Sequence, residues 1–107
     1  MKRVAALYDV HGSLPALEAV LEEVRRESVD HVVVGGDVLP GPMPRECLSR
    51  VFDLGLPTDF VHGNGELAVL AQMTGARTGS VTYWGTTSGK RPADDIVETY
   101  RWTGAQL

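Results

Sequence analysis

The chain is poor in several features, and each shortage narrows its class. It holds one cysteine, Cys47, in 107 residues. No disulfide framework is possible, and a lone thiol suits a reducing compartment. Cys47 stands beside Leu48 at an apolar helical position, which fits a small buried hydrophobe. Long apolar runs are also missing. The first, Val4-Ala5-Ala6-Leu7-Tyr8, is cut off by Asp9, too soon for a signal-peptide core or a membrane span. A cytoplasmic protein with no membrane partner is expected. There is no basic stripe: ten Lys and Arg face fourteen Asp and Glu, for a net charge of −4. That balance disfavours a general nucleic-acid surface. It leaves room for a phosphate-bearing substrate, because bound divalent cations reverse the local field. Internal repeats and low-complexity tracts are absent too. A chain of this length fits one domain, 1–107, with a modest core.

What is present is a regular alternation of short apolar runs and helical stripes. Residues 2–8 read as a strand. Ser13 is placed to cap a helix whose first turn contains Pro15. Leu14, Leu17, Leu21 and Val24 recur at spacings of three and four, a core-facing stripe. Glu18, Glu22, Glu23, Arg25 and Arg26 fall mostly off it as a solvated face, with Glu22 and Arg26 at pairing distance. Residues 31–34 form a second strand, and their valines suggest burial on both faces. After a Gly- and Pro-rich loop, a helix is predicted over 44–54, with Cys47, Leu48 and Val51 inward and Gly55 ending it.

Residues 58–62 read as a third strand and 66–73 as a helix. The Gly/Thr/Ser-rich stretch 74–91 is a loop or a hairpin around Val81-Thr82-Tyr83-Trp84. Pro92 then opens a last helix with Ile96, Val97 and Tyr100 on one face. The order β-α-β-α-β-α predicts a mostly parallel α/β sheet. Its edges need cover, which a homo-oligomer could supply.

Each strand is followed by a polar, Gly-flanked motif, and in open α/β sheets ligands bind beyond the carboxyl ends of the strands. Asp9-Val10-His11-Gly12 offers a carboxylate and an imidazole two residues apart, on one side of a strand end. A mixed oxygen and nitrogen set of this kind suits Mn, Fe, Ni or Zn. Gly12 allows a tight turn into a helix whose N-terminus favours an anion. Taken alone, the motif reads more readily as an ordinary polar turn than as a metal site.

Gly35-Gly36-Asp37 repeats the placement. Its glycines permit close backbone approach, and its carboxylate could bridge two metals or merely satisfy a turn. In Gly63-Asn64-Gly65-Glu66 the Asn-Gly pair could make a hairpin turn, but the residues that follow look helical. Asn64 is then available as a neutral oxygen ligand. His31, His62, Arg45 and the Lys90-Arg91 pair are weaker candidates. Trp84 and Trp102 read as packing residues.

The ordered conjunction of the three motifs resembles the calcineurin-like metallophosphoesterases, especially their small bacterial phosphodiesterase branch. The family's strand-Asp-x-His-Gly-helix block is matched by Leu7-Tyr8-Asp9-Val10-His11-Gly12-Ser13-Leu14. Its Gly-Asp block is matched by Gly35-Gly36-Asp37, and its Gly-Asn block by Gly63-Asn64-Gly65-Glu66. The resemblance runs over essentially the whole chain. It implies half of an αββα sandwich and hydrolysis of phosphate mono- or diesters.

By the resemblance, Asp9 and His11 would ligate one metal, Asp37 would bridge two, and Asn64 would help hold the second. Asp37 and Asn64 would be the catalytic residues, and Gly12 and Asn64 would meet the substrate. Two ions about 3.5–4 Å apart would clamp the phosphate and activate a hydroxide for in-line attack. Gly65 departs from the His that many members carry there to act on the leaving group. The family's later His ligands have no counterpart, because no histidine follows His62. The chain is therefore expected to be an amino-terminal half. A non-catalytic metal- or phosphate-binding module working through a partner or oligomer is the alternative. A signalling receiver domain fits less well, since a receiver places its reactive Asp after the third strand and this chain places Asn64 there.

Overall fold

A computed structural model describes residues 2–74 and 94–107. The expected loop or hairpin around Val81–Trp84, Lys90-Arg91 and the Pro92 helix start lie outside the described residues. The elements run β1 (Val4–Leu7), α1 (Leu14–Arg26), β2 (His31–Val34), α2 (Pro44–Phe52), β3 (Thr58–Phe60), α3 (Asn64–Thr74) and α4 (Asp94–Ala105). The three strands lie in sequence order, and both neighbouring pairs are parallel. Leu7 pairs with Val34, and Val34 pairs with Phe60, so the three strands end side by side. That common end is where the three Gly-flanked motifs emerge.

One face of the sheet makes the main core. Val32 and Val34 of β2 are fully buried against Leu17, Leu21 and Val24 of α1 and Cys47 and Val51 of α2. Burying each such side chain contributes about 1.5–3 kcal/mol. Val33, on the other face, is only half-buried, and Val4 and Tyr8 are exposed. The expectation that β2 is buried on both faces therefore holds for one face among the described residues. A second cluster joins α3 to α4, where Ala68, Val69 and Tyr100 pack with Leu39 of the β2–α2 loop. Gly104 lets the helices approach, since a Cβ there would meet Met73 Cγ at 2.6 Å. Val97 and Tyr100 are buried as their spacing predicts. Trp102, expected to pack, is exposed.

Local details correct the sequence reading in physical terms. Ser13 does precede α1, but its side chain caps nothing. A cap oxygen bonds the second or third helical N–H, and Pro15 removes one of those donors. The ion pairs on α1 form at i,i+3, Arg25–Glu22 and Arg26–Glu23, rather than between Glu22 and Arg26. Glu18, expected on the solvated face, accepts a 2.6 Å bond from Arg50 and ties α1 to α2. Helix α2 stops at Phe52, and Gly55 takes its positive φ of 72° three residues later. Strand β3 ends at Phe60 instead of His62, and α3 starts at Asn64, two residues earlier than predicted.

Cys47 has no exposed surface. Burial pushes its thiol above the ordinary range, with the Glu46 and Glu18 charges adding to the rise. The native thiol should therefore resist an aromatic disulfide reagent at neutral pH and react fully in denaturant. Val51→Ala, which removes two buried methyl groups beside Cys47, should lower unfolding stability by about 2 kcal/mol in a urea titration.

Candidate metal centre

Beyond the strand ends, the β1–α1 and β2–α2 loops stay paired. The Asp9 N–H donates to the Gly36 carbonyl at 3.2 Å, His11 N–H to Asp37 O at 3.0 Å and Gly12 N–H to Val38 O at 2.8 Å. The Met43 N–H returns to the Gly12 carbonyl at 3.0 Å. The sheet's pairing thus continues through the motif residues after regular strand geometry has ended. Gly12 is needed for this close approach: a Cβ on it would lie 2.6 Å from the Gly41 backbone. Its N–H is already donated to Val38, so what it brings to the site is its lack of a side chain.

This pairing brings Asp9, His11 and Asp37 together. One ligand atom from each lies within 4.8 Å of the others. Asp9 Oδ1 and His11 Nε2 are 3.8 Å apart. Both side chains are exposed, and Asp37 is half-buried. Donors sharing one cation at about 2.0–2.2 Å stand at most about 4.4 Å from one another. Small side-chain rotations would close the set on one ion, and two carboxylates with an imidazole are an appropriate donor set for one.

The convergence does not come from strand alternation, as the i,i+2 spacing suggests. β1 ends at Leu7, and Asp9, His11 and Asp37 all take left-handed backbone angles, with φ of 56°, 46° and 56°. Such residues are uncommon outside glycine, and the conformation carries strain of about 1–2 kcal/mol each.

The third motif joins through the start of α3. The Gly65 N–H donates to Asp37 Oδ1 at 2.8 Å. Glu66 turns back and accepts three main-chain N–H groups: Asp37 at 2.6 Å and Gly63 at 2.9 Å on Oε1, and Leu39 at 2.9 Å on Oε2. The glycines on either side of Asn64 lie against Asp37 and its loop. A Cβ at Gly63 would meet Asp37 Oδ1 at 2.2 Å, and one at Gly65 would meet the Leu39 carbonyl oxygen at 2.0 Å. Asn64, half-buried as the first residue of α3, is held between them. The sequence reading gave Glu66 no role. The available signal was its place three residues into a helix, where a Glu reaches back to the N-cap N–H.

The remaining candidates are elsewhere or exposed. His31 Nε2 is 2.8 Å from Asp59 Oδ2, at the amino-terminal end of β2 and away from the motifs. His62 and Arg45 are exposed.

A parallel sheet with carboxylates and an imidazole gathered beyond its strand ends defines an α/β protein, a class in which ligands bind at that edge. The particular family follows from comparison. The family model described as calcineurin-like phosphoesterase matches residues 2–104, and the chain belongs to that family. The three-stranded parallel sheet and four helices of the described residues are consistent with half of its fold. The chain is also similar to the uncharacterized protein MJ0912 of Methanocaldococcus jannaschii, with 31% identity over 70 residues. The match takes in 64% of this chain and 28% of that relative, so the chain spans well under half the relative's length. No described helix is long and apolar enough to cross a membrane.

Strain at an exposed side chain predicts a trade of stability against binding. Asp9→Gly removes a side chain that packs little and relieves its left-handed φ, so it should stabilise the fold by up to about 1 kcal/mol. The same variant should lose most Mn²⁺ affinity. Chemical denaturation and calorimetric titration of one preparation check both halves.

Proposed function

We propose that the chain carries part of the metal centre of a phosphoesterase that hydrolyses phosphate mono- or diesters. The observation that supports this best is the convergence of Asp9, His11 and Asp37 within 4.8 Å beyond the ends of parallel strands. In this reading Asp9 and His11 hold one divalent ion, Mn, Fe, Ni or Zn. Asp37 is shared with a second ion, to which Asn64 adds a neutral oxygen. Such ions supply Lewis-acid polarisation of the phosphoryl group and lower the pKa of attacking water.

The chain's own residues do the positioning. Asp37 presents its carboxylate with Oδ1 steadied by the Gly65 N–H. Gly12 keeps the mouth of α1 clear of a side chain, and with Asn64 it meets the substrate phosphate. The small bacterial phosphodiesterase branch fits best, because Gly65 stands where other members carry His and the Leu39 carbonyl leaves no space for a Cβ there. A cytoplasmic location agrees with the buried, unpaired Cys47.

A second reading, a non-catalytic metal- or phosphate-binding module acting through a partner, has one observation in its favour. Beyond His11 the chain has two histidines: His31 is engaged with Asp59, and His62 is exposed. Hydrolysis of bis(p-nitrophenyl) phosphate with added Mn²⁺, run beside Asp37→Asn, separates the readings. Mn²⁺-dependent turnover that disappears in the variant is the expected result. Mn²⁺ binding with no turnover above the variant would favour the module instead. In calorimetry Asp37→Ala should weaken Mn²⁺ binding more than Asn64→Ala, because a shared carboxylate gives charge to both ions. Equal or reversed losses would count against the bridging role.

A further inference from the structure

We infer that Glu66 is the positioning residue of this centre: one carboxylate that sets both the Asp37 turn and the Gly63-Asn64-Gly65 turn by accepting three main-chain N–H groups. The inference rests on the reading of Asp9, His11, Asp37 and Asn64 as metal ligands. Among the described residues Glu66 accepts main-chain N–H groups and no side chain of the four, so its action passes through the backbone.

The geometry sets it apart from a simple helix cap. A cap needs only the Gly63 N–H, which Glu66 accepts at 2.9 Å. The other two donors, Asp37 and Leu39, lie 29 and 27 residues away in the β2–α2 loop. Alternate N–H groups on either side of Val38 point at the two oxygens of one carboxylate. That arrangement fixes the loop's direction at the strained Asp37 φ of 56°. The bond is reciprocated: Glu66 takes the Asp37 N–H, while Asp37 Oδ1 takes the Gly65 N–H. The Asp37 carbonyl in turn accepts the His11 N–H at 3.0 Å. The Glu66 carboxylate is thus two hydrogen bonds from the backbone of His11 and one from that of Asp37.

A carboxylate is the group this position requires. Glutamate offers two acceptor oxygens and no hydrogen. Glutamine would turn one of them into an NH₂ facing a main-chain N–H, leaving a donor against a donor. Bonds between a charged acceptor and N–H groups are also the stronger kind. Groups that orient metal ligands in this way typically change metal affinity about 10–100-fold when altered.

The test compares Glu66→Gln with Leu54→Ala, a half-buried position two residues beyond the end of α2, chosen to lower thermal stability without touching the site. Hydrogen exchange is measured on the metal-free proteins, and Mn²⁺ affinity below both melting temperatures. In Glu66→Gln the amides of Asp37, Leu39, Gly63 and His11 should lose protection together, with Val32 and Val34 unchanged. Mn²⁺ affinity should fall at least tenfold, whereas Leu54→Ala binds within twofold of the wild type. Loss confined to Gly63 and the first turn of α3, with unchanged Mn²⁺ affinity, would reduce Glu66 to a cap and overturn the inference. If the wild type binds no Mn²⁺, the metal reading fails. The positioning claim is then decided by exchange alone: joint loss at His11, Asp37 and Gly63 sustains it, and independent loss overturns it.

Discussion

The exchange of hydrogen bonds between Asp37 and the start of α3 is the constraint on which the rest of the site depends. A helix begins with N–H groups that have no partner inside it. Here the N-cap position is Gly63, which has no side chain to offer them. The missing acceptor comes from another element: Asp37 Oδ1 takes the Gly65 N–H, and Glu66 takes the N–H of Asp37 in return. A carboxylate at a helix N-terminus is also favoured by the helix dipole. Starting α3 and orienting Asp37 are therefore one event. The same contacts explain both glycines around Asn64, since a Cβ on either would run into Asp37 or the Leu39 carbonyl.

Stability and strain are divided along the sheet. The buried valines of β2 and the apolar stripes of α1 and α2 supply the favourable term on one face. The carboxyl edge draws on it: Asp9, His11 and Asp37 adopt left-handed backbone angles that a side chain disfavours. Strain of this kind persists only where its surroundings over-determine it. The paired loops do so here, with Gly36, Asp37 and Val38 carbonyls each receiving an N–H from the opposite loop. The strained residues are also the ones whose polar side chains converge, with Asp9 and His11 exposed and Asp37 half-buried. The fold holds at this edge a geometry that packing alone would not select.

Much of this was legible in the sequence, for reasons that differ between elements. The stripes of α1 and α2 and the Val run of β2 report directly on burial, and Leu17, Leu21, Val24, Val32, Val34, Cys47 and Val51 are all in the core. The β-α-β-α-β order gave the parallel sheet. The motif residues that meet, Asp9, His11 and Asp37, were recognisable because each follows an apolar run. The reason for their meeting was not. Period-two alternation assumed a strand through residue 8, whereas the structure uses left-handed turns in paired loops. Glu66 was missed because its partners lie 27 and 29 residues away and are main-chain groups, which leave no trace in side-chain identity. Element ends differ where α2 stops at Phe52, where β3 stops at Phe60 and where α3 starts on Asn64, next to the glycine at its N-cap. The one-sided burial of β2 was illegible because an apolar run looks the same whether one face or two are covered.

Gly65 links the fold to the chemistry most sharply. In relatives that carry His at this place, the resemblance assigns that side chain to the leaving group. Here the Leu39 carbonyl oxygen and Asp37 Oδ1 fill the space, at 2.0 and 2.9 Å from where a Cβ would stand. The loop that closes this space is the one Glu66 holds through the Asp37 and Leu39 N–H groups. Installing His at 65 would therefore require the β2–α2 loop to move, and with it the turn that presents Asp37. The absence of the His and the clamp on Asp37 are one structural choice.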